Sequence, residues 1–303
     1  MEPMVAPQTA HPATTAATAL LHHDLVADLT DDLSTWMPAP APAHRTIDPA
    51  DADPRPTTLE ILEDIIDGGG PQIVFQPIHH LETGQVIGAE ALSRFPVGLN
   101  TQQWFDEATR LGIGADLELS AIAAIVGRLD EATWGRVGWN FVGVNISPSI
   151  VYDARFEALI AGYPGHRFMV ELTEQSTSIA YASLRTRLEE LRDLGMRIAV
   201  NSVKCEPTNL VRLLDIAPEV IKLDVSFTAA LVRDPARKAV AAEILRKCIR
   251  GGVFVVAVGV EHDDELAILR KLGVDAVQGH LFGRPKAIDQ IGPRPVFPTS
   301  PRW

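Results

Sequence analysis

The chain has 303 residues, 46% of them hydrophobic, and a formal net charge of −12. An acid excess of that size argues against nucleic acid or an anionic membrane as the main partner. No apolar run reaches the roughly 18 residues a membrane span needs. The two cysteines, Cys205 and Cys248, lack metal-type spacing, and the start "MEPMVAPQTAHPATT" has neither a basic end nor an apolar signal core. Together these features point to a reducing, cytoplasmic setting.

Residues 1–56 are rich in Ala, Pro, Thr and Asp and carry eight acids against two bases, Arg45 and Arg55. Such a composition predicts a largely disordered arm. Within it, Leu21, Leu25, Leu29, Leu33 and Trp36 recur at helical spacing among Asp24, Asp28, Asp31 and Asp32. The spacing predicts an amphipathic helix inside 17–36, serving either to pack on its own domain or to dock a protein partner or a second copy. The end of the chain, 291–303, reads as a Pro-rich extended tail.

Between these segments, 57–290 alternates strand and helix. Apolar runs predict strands at 73–78, 85–93, 139–147, 167–173, 197–203, 219–225, 253–260 and 276–279. Helical patterns fall at 116–132, 182–195, 237–252 and 263–273, with Gly195, Gly251 and Gly273 placed as C-terminal caps. Eight strands alternating with helices predict a parallel-rich α/β barrel of the TIM (β/α)8 type, with a doubly wound open sheet as the alternative. The link "HHLETG" between the first two strands is too short for a crossover helix, so that pair should be an antiparallel hairpin. No GxGxxG or P-loop stands at a strand–helix junction.

Barrel chemistry sits where strands end. Those ends offer Gln76, Glu90 with Arg94, Asn145 with Ser147, Glu171 with Glu174, Asn201 with Ser202, Lys222 with Asp224, Val258 with Glu261, and Gln278. Glu90, Asn145 and Glu171 are an oxygen-donor set of the kind hard divalent cations take. Arg94 and Lys222 are the cations expected to meet an anion, with Arg94 suited to bidentate phosphate contact.

The strings "FQPI", "GQVIGAEALSRF", "VNIS", "ELTE", "VIKLD", "VGVE" and "QGHLFGRP" stand in the order that resembles the EAL domain, a family of cyclic di-GMP phosphodiesterases and their catalytically silent relatives. The resemblance covers about 57–290 and implies a modified TIM barrel with an antiparallel first strand pair. In active members it implies two Mg²⁺ or Mn²⁺ ions that activate a water to give linear pGpG. It also implies ligand contacts at Gln76, Leu92, Arg94, Asp116, Asn145, Glu261, Gln278 and Pro285, and a remnant metal site at Glu90, Asn145 and Glu171.

The departures from the family pattern are specific. Asn201 and Ser202 stand where active members carry two adjacent metal-binding aspartates, and the glycines that follow are gone. Val258 stands where they carry the glutamate assigned to general-base work. Lys222, Glu174 and Glu261 are retained. Lys204, close to the emptied positions, is a candidate stand-in for the missing charge, pairing with Glu171 or Glu174. The pattern implies a chain with no functional catalytic set and no required cofactor, Mg²⁺ or Mn²⁺ mattering only for residual phosphodiesterase activity. Cyclic di-GMP is the expected partner. The alternatives are an interaction module that binds no nucleotide and a weakly active phosphodiesterase. The altered loop after the fifth strand is the one active members use for dimer coupling, so dimerisation is an open expectation.

Overall fold

Thr57 opens the first described helix by accepting the Glu60 N–H at 3.3 Å, while the Glu60 carboxylate accepts the Thr57 N–H at 2.7 Å. This reciprocal cap satisfies two donors that a helix start leaves orphaned. It launches α1 (Thr58–Asp67) ahead of the first strand. The computed structural model describes residues 56–96, 98–173, 181–203, 216–228 and 235–292. The expected helix at 17–36, the tail from 293, Glu174, Lys204 and Cys205 lie outside the described residues, as does the side chain of Ser202.

Eight strands close a barrel in sequence order. They are β1 (Gln72–His80), β2 (Val86–Arg94), β3 (Phe141–Asn145), β4 (Phe168–Thr173), β5 (Arg197–Val203), β6 (Val220–Leu223), β7 (Phe254–Ala257) and β8 (Ala276–Val277). β1 and β2 pair antiparallel, as the short connection required, and pairs from β2–β3 to β7–β8 are parallel. β1 is therefore antiparallel to β8 as well, and that ladder holds only His79 to Val277 and His80 to Ala276. Pro77 has no N–H to extend it. The chain returns after β8 and Lys286 pairs with Phe75 through backbone bonds of 2.8 and 3.0 Å, closing the seam from above.

The helices of the outer ring include α2 (Thr101–Arg110), α3 (Gly114–Val126), α4 (Glu131–Val137), α5 (Pro148–Val151), α6 (Ala154–Ile160), α7 (Tyr181–Asp193), α8 (Pro235–Arg250) and α9 (Asp263–Leu272). The helix expected over 116–132 is two helices: Asp130 accepts the Thr133 N–H at 2.7 Å and starts α4 anew. The strand expected over 139–147 ends at Asn145, because the Ser147 N–H turns to the Glu118 carboxylate and Pro148 begins α5. β7 and β8 are likewise shorter than their apolar runs. α1, α2, α5 and α6 were not anticipated, although the Asn100–Gln103 capping box before α2 is legible in the sequence. Gly273 caps α9 in the left-handed conformation, with φ 77°. No described helix is long and apolar enough to cross a membrane.

Outward-facing strand residues such as Phe75, Val142, Val170, Ile198, Ile221 and Val255 pack against the helices. Inside the barrel, Ile78, Phe141, Met169, Val220, Val256 and Ala276 form an apolar floor. Two residues beyond the floor, the interior positions of β4, β6 and the segment after β8 become polar, at Glu171, Lys222 and Gln278, because side chains on one face repeat every second residue. That step from floor to polar layer positions the site.

Candidate functional site

Lys222 lies two residues beyond Val220 on β6 and is fully buried. Its Nζ donates to Glu90 Oε2 at 2.6 Å and to Glu171 Oε2 at 2.7 Å. Glu90 can stand on a buried strand because its counter-charge arrives from the far side of the barrel. Arg94, on the same strand face, stands about 13 Å further along at ~3.3 Å per residue. It is exposed at the barrel mouth, donating to the Ser93 carbonyl at 3.0 Å. The expectation that Lys222 meets an incoming anion is therefore corrected. Its ammonium is enclosed and directed at carboxylates, which leaves Arg94 as the exposed cation of that pair.

Amides complete the layer. Asn145 donates to Glu90 Oε1 at 2.8 Å, and Asn201 Nδ2 donates to Asn145 Oδ1 at 3.0 Å and Glu171 Oε2 at 3.1 Å. Gln278 Nε2 donates to Glu90 Oε2 at 2.7 Å and Gln76 Oε1 at 3.1 Å, and Gln76 Nε2 donates to the Gly283 carbonyl at 3.2 Å. Gln76 is not at a strand's C-terminal end. It joins the layer from the middle of antiparallel β1, opposite Glu90.

The two carboxyls are driven apart. Burial alone would raise Glu90, but the Lys222 charge and the bonds from Lys222, Gln278 and Asn145 hold it below the usual carboxylate range. Burial and the adjacent Glu90 charge push Glu171 up to about 8, against the pull of Lys222. For Lys222, burial is outweighed by the charges of Glu171 and Glu90, and its pKa is raised. A single ammonium thus compensates one carboxylate fully and the other in part.

Glu171 Oε1 is buried and has no hydrogen-bond partner among the described residues. It occupies space left by Gly143, where a Cβ would come within 2.0 Å of that oxygen. Gly143→Ala is expected to displace Glu171 and loosen the triad with Lys222, costing about 1–3 kcal/mol as overpacking does. A thermal melt checks this, and an unchanged midpoint would mean that the carboxylate is not held by the missing methyl.

A cavity of about 220 Å³ opens beside this layer, reached by Gln76, Glu90, Asn201 and Gln278. The β7–α9 connection contributes Val258, Gly259 and Glu261, and His280 follows from the segment after β8. His280 was not anticipated as a site residue, although it stands inside the "QGHLFGRP" string; its Nδ1 lies 3.5 Å from Glu261 Oε1. Gly143 was missed because nothing local marks a glycine whose purpose is a neighbour's carboxylate.

Other expected residues stand elsewhere. Leu92 is half-buried on the Arg94 face of β2, and Pro285 is half-buried just before the Lys286 bridge. Asp116, in the first turn of α3, receives Arg155 Nη1 at 2.7 Å and does not line the cavity. Asp224 caps a turn by accepting the Ser226 N–H at 2.8 Å. Ser147 is held by Glu118 of α3, its Oγ at 2.7 Å from Glu118 Oε2.

The donor chemistry fits one hard cation. Glu90, Asn145 and Glu171 supply oxygens, Asn201 could turn a neutral one, and Glu171 Oε1 is a buried acceptor unpartnered among the described residues. Among the described residues no group of three or more His, Cys, Asp or Glu side chains is arranged to hold a metal. A second ion would lack the carboxylates that Mg²⁺ demands before it gives up water.

The profile of the EAL domain matches residues 59–285, and the chain belongs to that family. It is 30% identical over 246 residues to the uncharacterized protein Rv1357c of Mycobacterium tuberculosis (strain ATCC 25618 / H37Rv), a match that spans 74% of this chain and 78% of that protein. The structure of the PaMucR phosphodiesterase in its c-di-GMP complex superposes with a TM-score of 0.65 at 24% identity, covering 77% of this chain and 98% of that one. Klebsiella pneumoniae BlrP1 in its manganese/cy-diGMP complex gives a TM-score of 0.63 at 25% identity, over 72% of this chain and 56% of BlrP1.

Proposed function

We propose that this chain acts in cyclic di-GMP signalling as a catalytically silent receptor of the nucleotide. The observation that carries the reading is the closure of the polar layer on itself. Lys222 and the Asn201 amide direct their donors at the carboxylates, and Val258 presents hydrocarbon to the cavity. The retained amides Gln76, Asn145 and Gln278, with Glu261, leave hydrogen-bonding groups for a nucleotide. The cyclic di-GMP complexes of PaMucR and BlrP1 support that ligand class. No cofactor is required for this function.

Binding is expected to need Arg94 more than metal. Lys222 is engaged with Glu90 and Glu171, and Arg94 is the exposed guanidinium at the end of the strand that carries Glu90. A charge-assisted contact is worth about 1.5–3 kcal/mol. Arg94→Ala should therefore weaken cyclic di-GMP roughly 10- to 150-fold by calorimetry, with EDTA changing affinity far less. EDTA abolishing binding while Arg94→Ala leaves it intact would overturn the receptor reading.

The second reading is a weakly active phosphodiesterase, favoured by the buried Glu171 Oε1, unpartnered among the described residues. Glu90, Asn145 and Glu171, with Asn201, would hold one Mg²⁺ or Mn²⁺, which when bound would polarise a phosphodiester oxygen. Should cyclic di-GMP bind under no condition, the interaction reading takes over, with residues 17–36 as the docking element for a protein partner or a second copy. In each case 1–56 is proposed as an arm outside the barrel domain of 57–290, with 291–303 as a tail.

A further inference from the structure

β3 delivers Asn145 to the polar layer, and two anchors fix the turn that follows. Ile146 is buried, and its N–H donates to the Glu171 carbonyl at 3.0 Å, tying the turn to β4. Ser147, the N-cap of α5, makes no capping bond with its own side chain. Its backbone N–H donates instead to Glu118 Oε1, and its Oγ donates to Glu118 Oε2 at 2.7 Å. Ser149 Oγ lies 2.7 Å from the same hydroxyl.

Glu118 comes from α3, outside the barrel, and is half-buried. Among the described residues no Lys, Arg or His pairs with it, so Ser147 supplies the donors that its carboxyl needs. Two bonds from one carboxyl to one residue fix that residue's position and its rotation. Asn145 lies two residues upstream, with its carboxamide between Glu90 and Asn201.

We infer that Glu118 is a positioning residue: by clamping Ser147 through both the backbone N–H and the hydroxyl, it sets the orientation in which Asn145 faces the polar layer. This rests on the reading of that layer as a ligand site only for its effect on affinity. The orientation of Asn145 is a separate observable. Among the described residues Glu118 does not line the cavity and hydrogen-bonds to no member of the layer, so its influence passes through the turn.

The test compares full-length Glu118→Ala, Glu118→Gln and Ser147→Ala with the parent chain, labelled with ¹⁵N-asparagine. The Asn145 side-chain amide signals are assigned by their loss in Asn145→Ala. Glu118→Ala should move these signals and speed their solvent exchange. Glu118→Gln should preserve them, because its oxygen still accepts the Ser147 N–H. Its NH2 can donate to Ser147 Oγ, which then donates to Ser149. Ser147→Ala keeps the N–H bond alone and should fall between, which preserves the test if Glu118→Ala does not fold. Cyclic di-GMP affinity should fall about tenfold in Glu118→Ala, the scale of one lost hydrogen bond, and stay near the parent value in Glu118→Gln. A lowered melting temperature with unchanged Asn145 signals would overturn the inference, and so would Glu118→Gln matching Glu118→Ala. A parent chain that binds no cyclic di-GMP would refute the receptor reading, while the Asn145 signals would still decide this one.

Discussion

Purified protein incubated with cyclic di-GMP and either Mg²⁺ or Mn²⁺ is expected to release pGpG at close to the background rate. Three positions carry this expectation. Val258 borders the cavity with hydrocarbon where the family pattern implies a proton acceptor, and loss of a general base typically costs about 10²–10⁴ in rate. Asn201 turns an amide N–H toward Glu171, where the pattern implies an anionic metal ligand. Ser202 removes the second aspartate. Val258→Glu alone should not restore turnover, because groups that act as a unit are not additive. The new carboxylate would also enter a cavity already lined by Glu90 and Glu261, and like charges raise its pKa. Only the triple change adding Asn201→Asp and Ser202→Asp should recover a measurable rate. Turnover by the unaltered chain within an order of magnitude of an active relative under matched conditions would refute the silent reading and favour the single-ion phosphodiesterase.

Lys222→Met should be the most destabilising single substitution in the barrel interior. The thioether keeps much of the volume but removes the ammonium that sits 2.6 and 2.7 Å from two buried carboxylates. Breaking a buried ion pair from one side typically costs about 3–5 kcal/mol, since the other charge stays buried without compensation. In a domain of this size each kcal/mol lowers the melting temperature by about 2–4 °C, so a fall of roughly 6–20 °C is expected in a calorimetric scan. Adding Glu171→Gln should recover part of the loss by deleting one of the two acids while keeping a polar group for Asn201. A Lys222→Met protein melting within a degree or two of the parent would mean that the carboxyls satisfy one another without the ammonium.

The legible part of the fold was what short-range pattern encodes. The apolar run of β5 was read over its full extent, and the other strands within a few residues. The hairpin followed from a link too short to cross the barrel, and closure followed from eight strands alternating with helices. Boundaries failed where a tertiary bond ended an element early. β3 stops at Asn145 because the Ser147 N–H turns to the Glu118 carboxylate and Pro148 opens α5, although the apolar Ile146 still reads as strand. The break between α3 and α4 rests on the Asp130 cap, which the apolar periodicity runs straight through.

By itself the sequence determined the family, the barrel, the list of polar residues that the strands carry inward, and the three substitutions at positions the family pattern assigns to metal and base. These depend on residue identity and on spacing along one strand at a time. Only the tertiary structure decided who pairs with whom. Lys222 is separated from Glu90 by 132 positions and from Glu171 by 51. Its partners depend on how registers around a closed barrel bring distant strands to one height. That closure turned a cation expected to meet the ligand into one enclosed by two carboxyls, gave Asp116 to Arg155, and brought Gln76 into the layer from the middle of an antiparallel strand. It also assigned Gly143 the task of leaving room for Glu171, because a residue's usefulness as empty space is defined only by what packs against it.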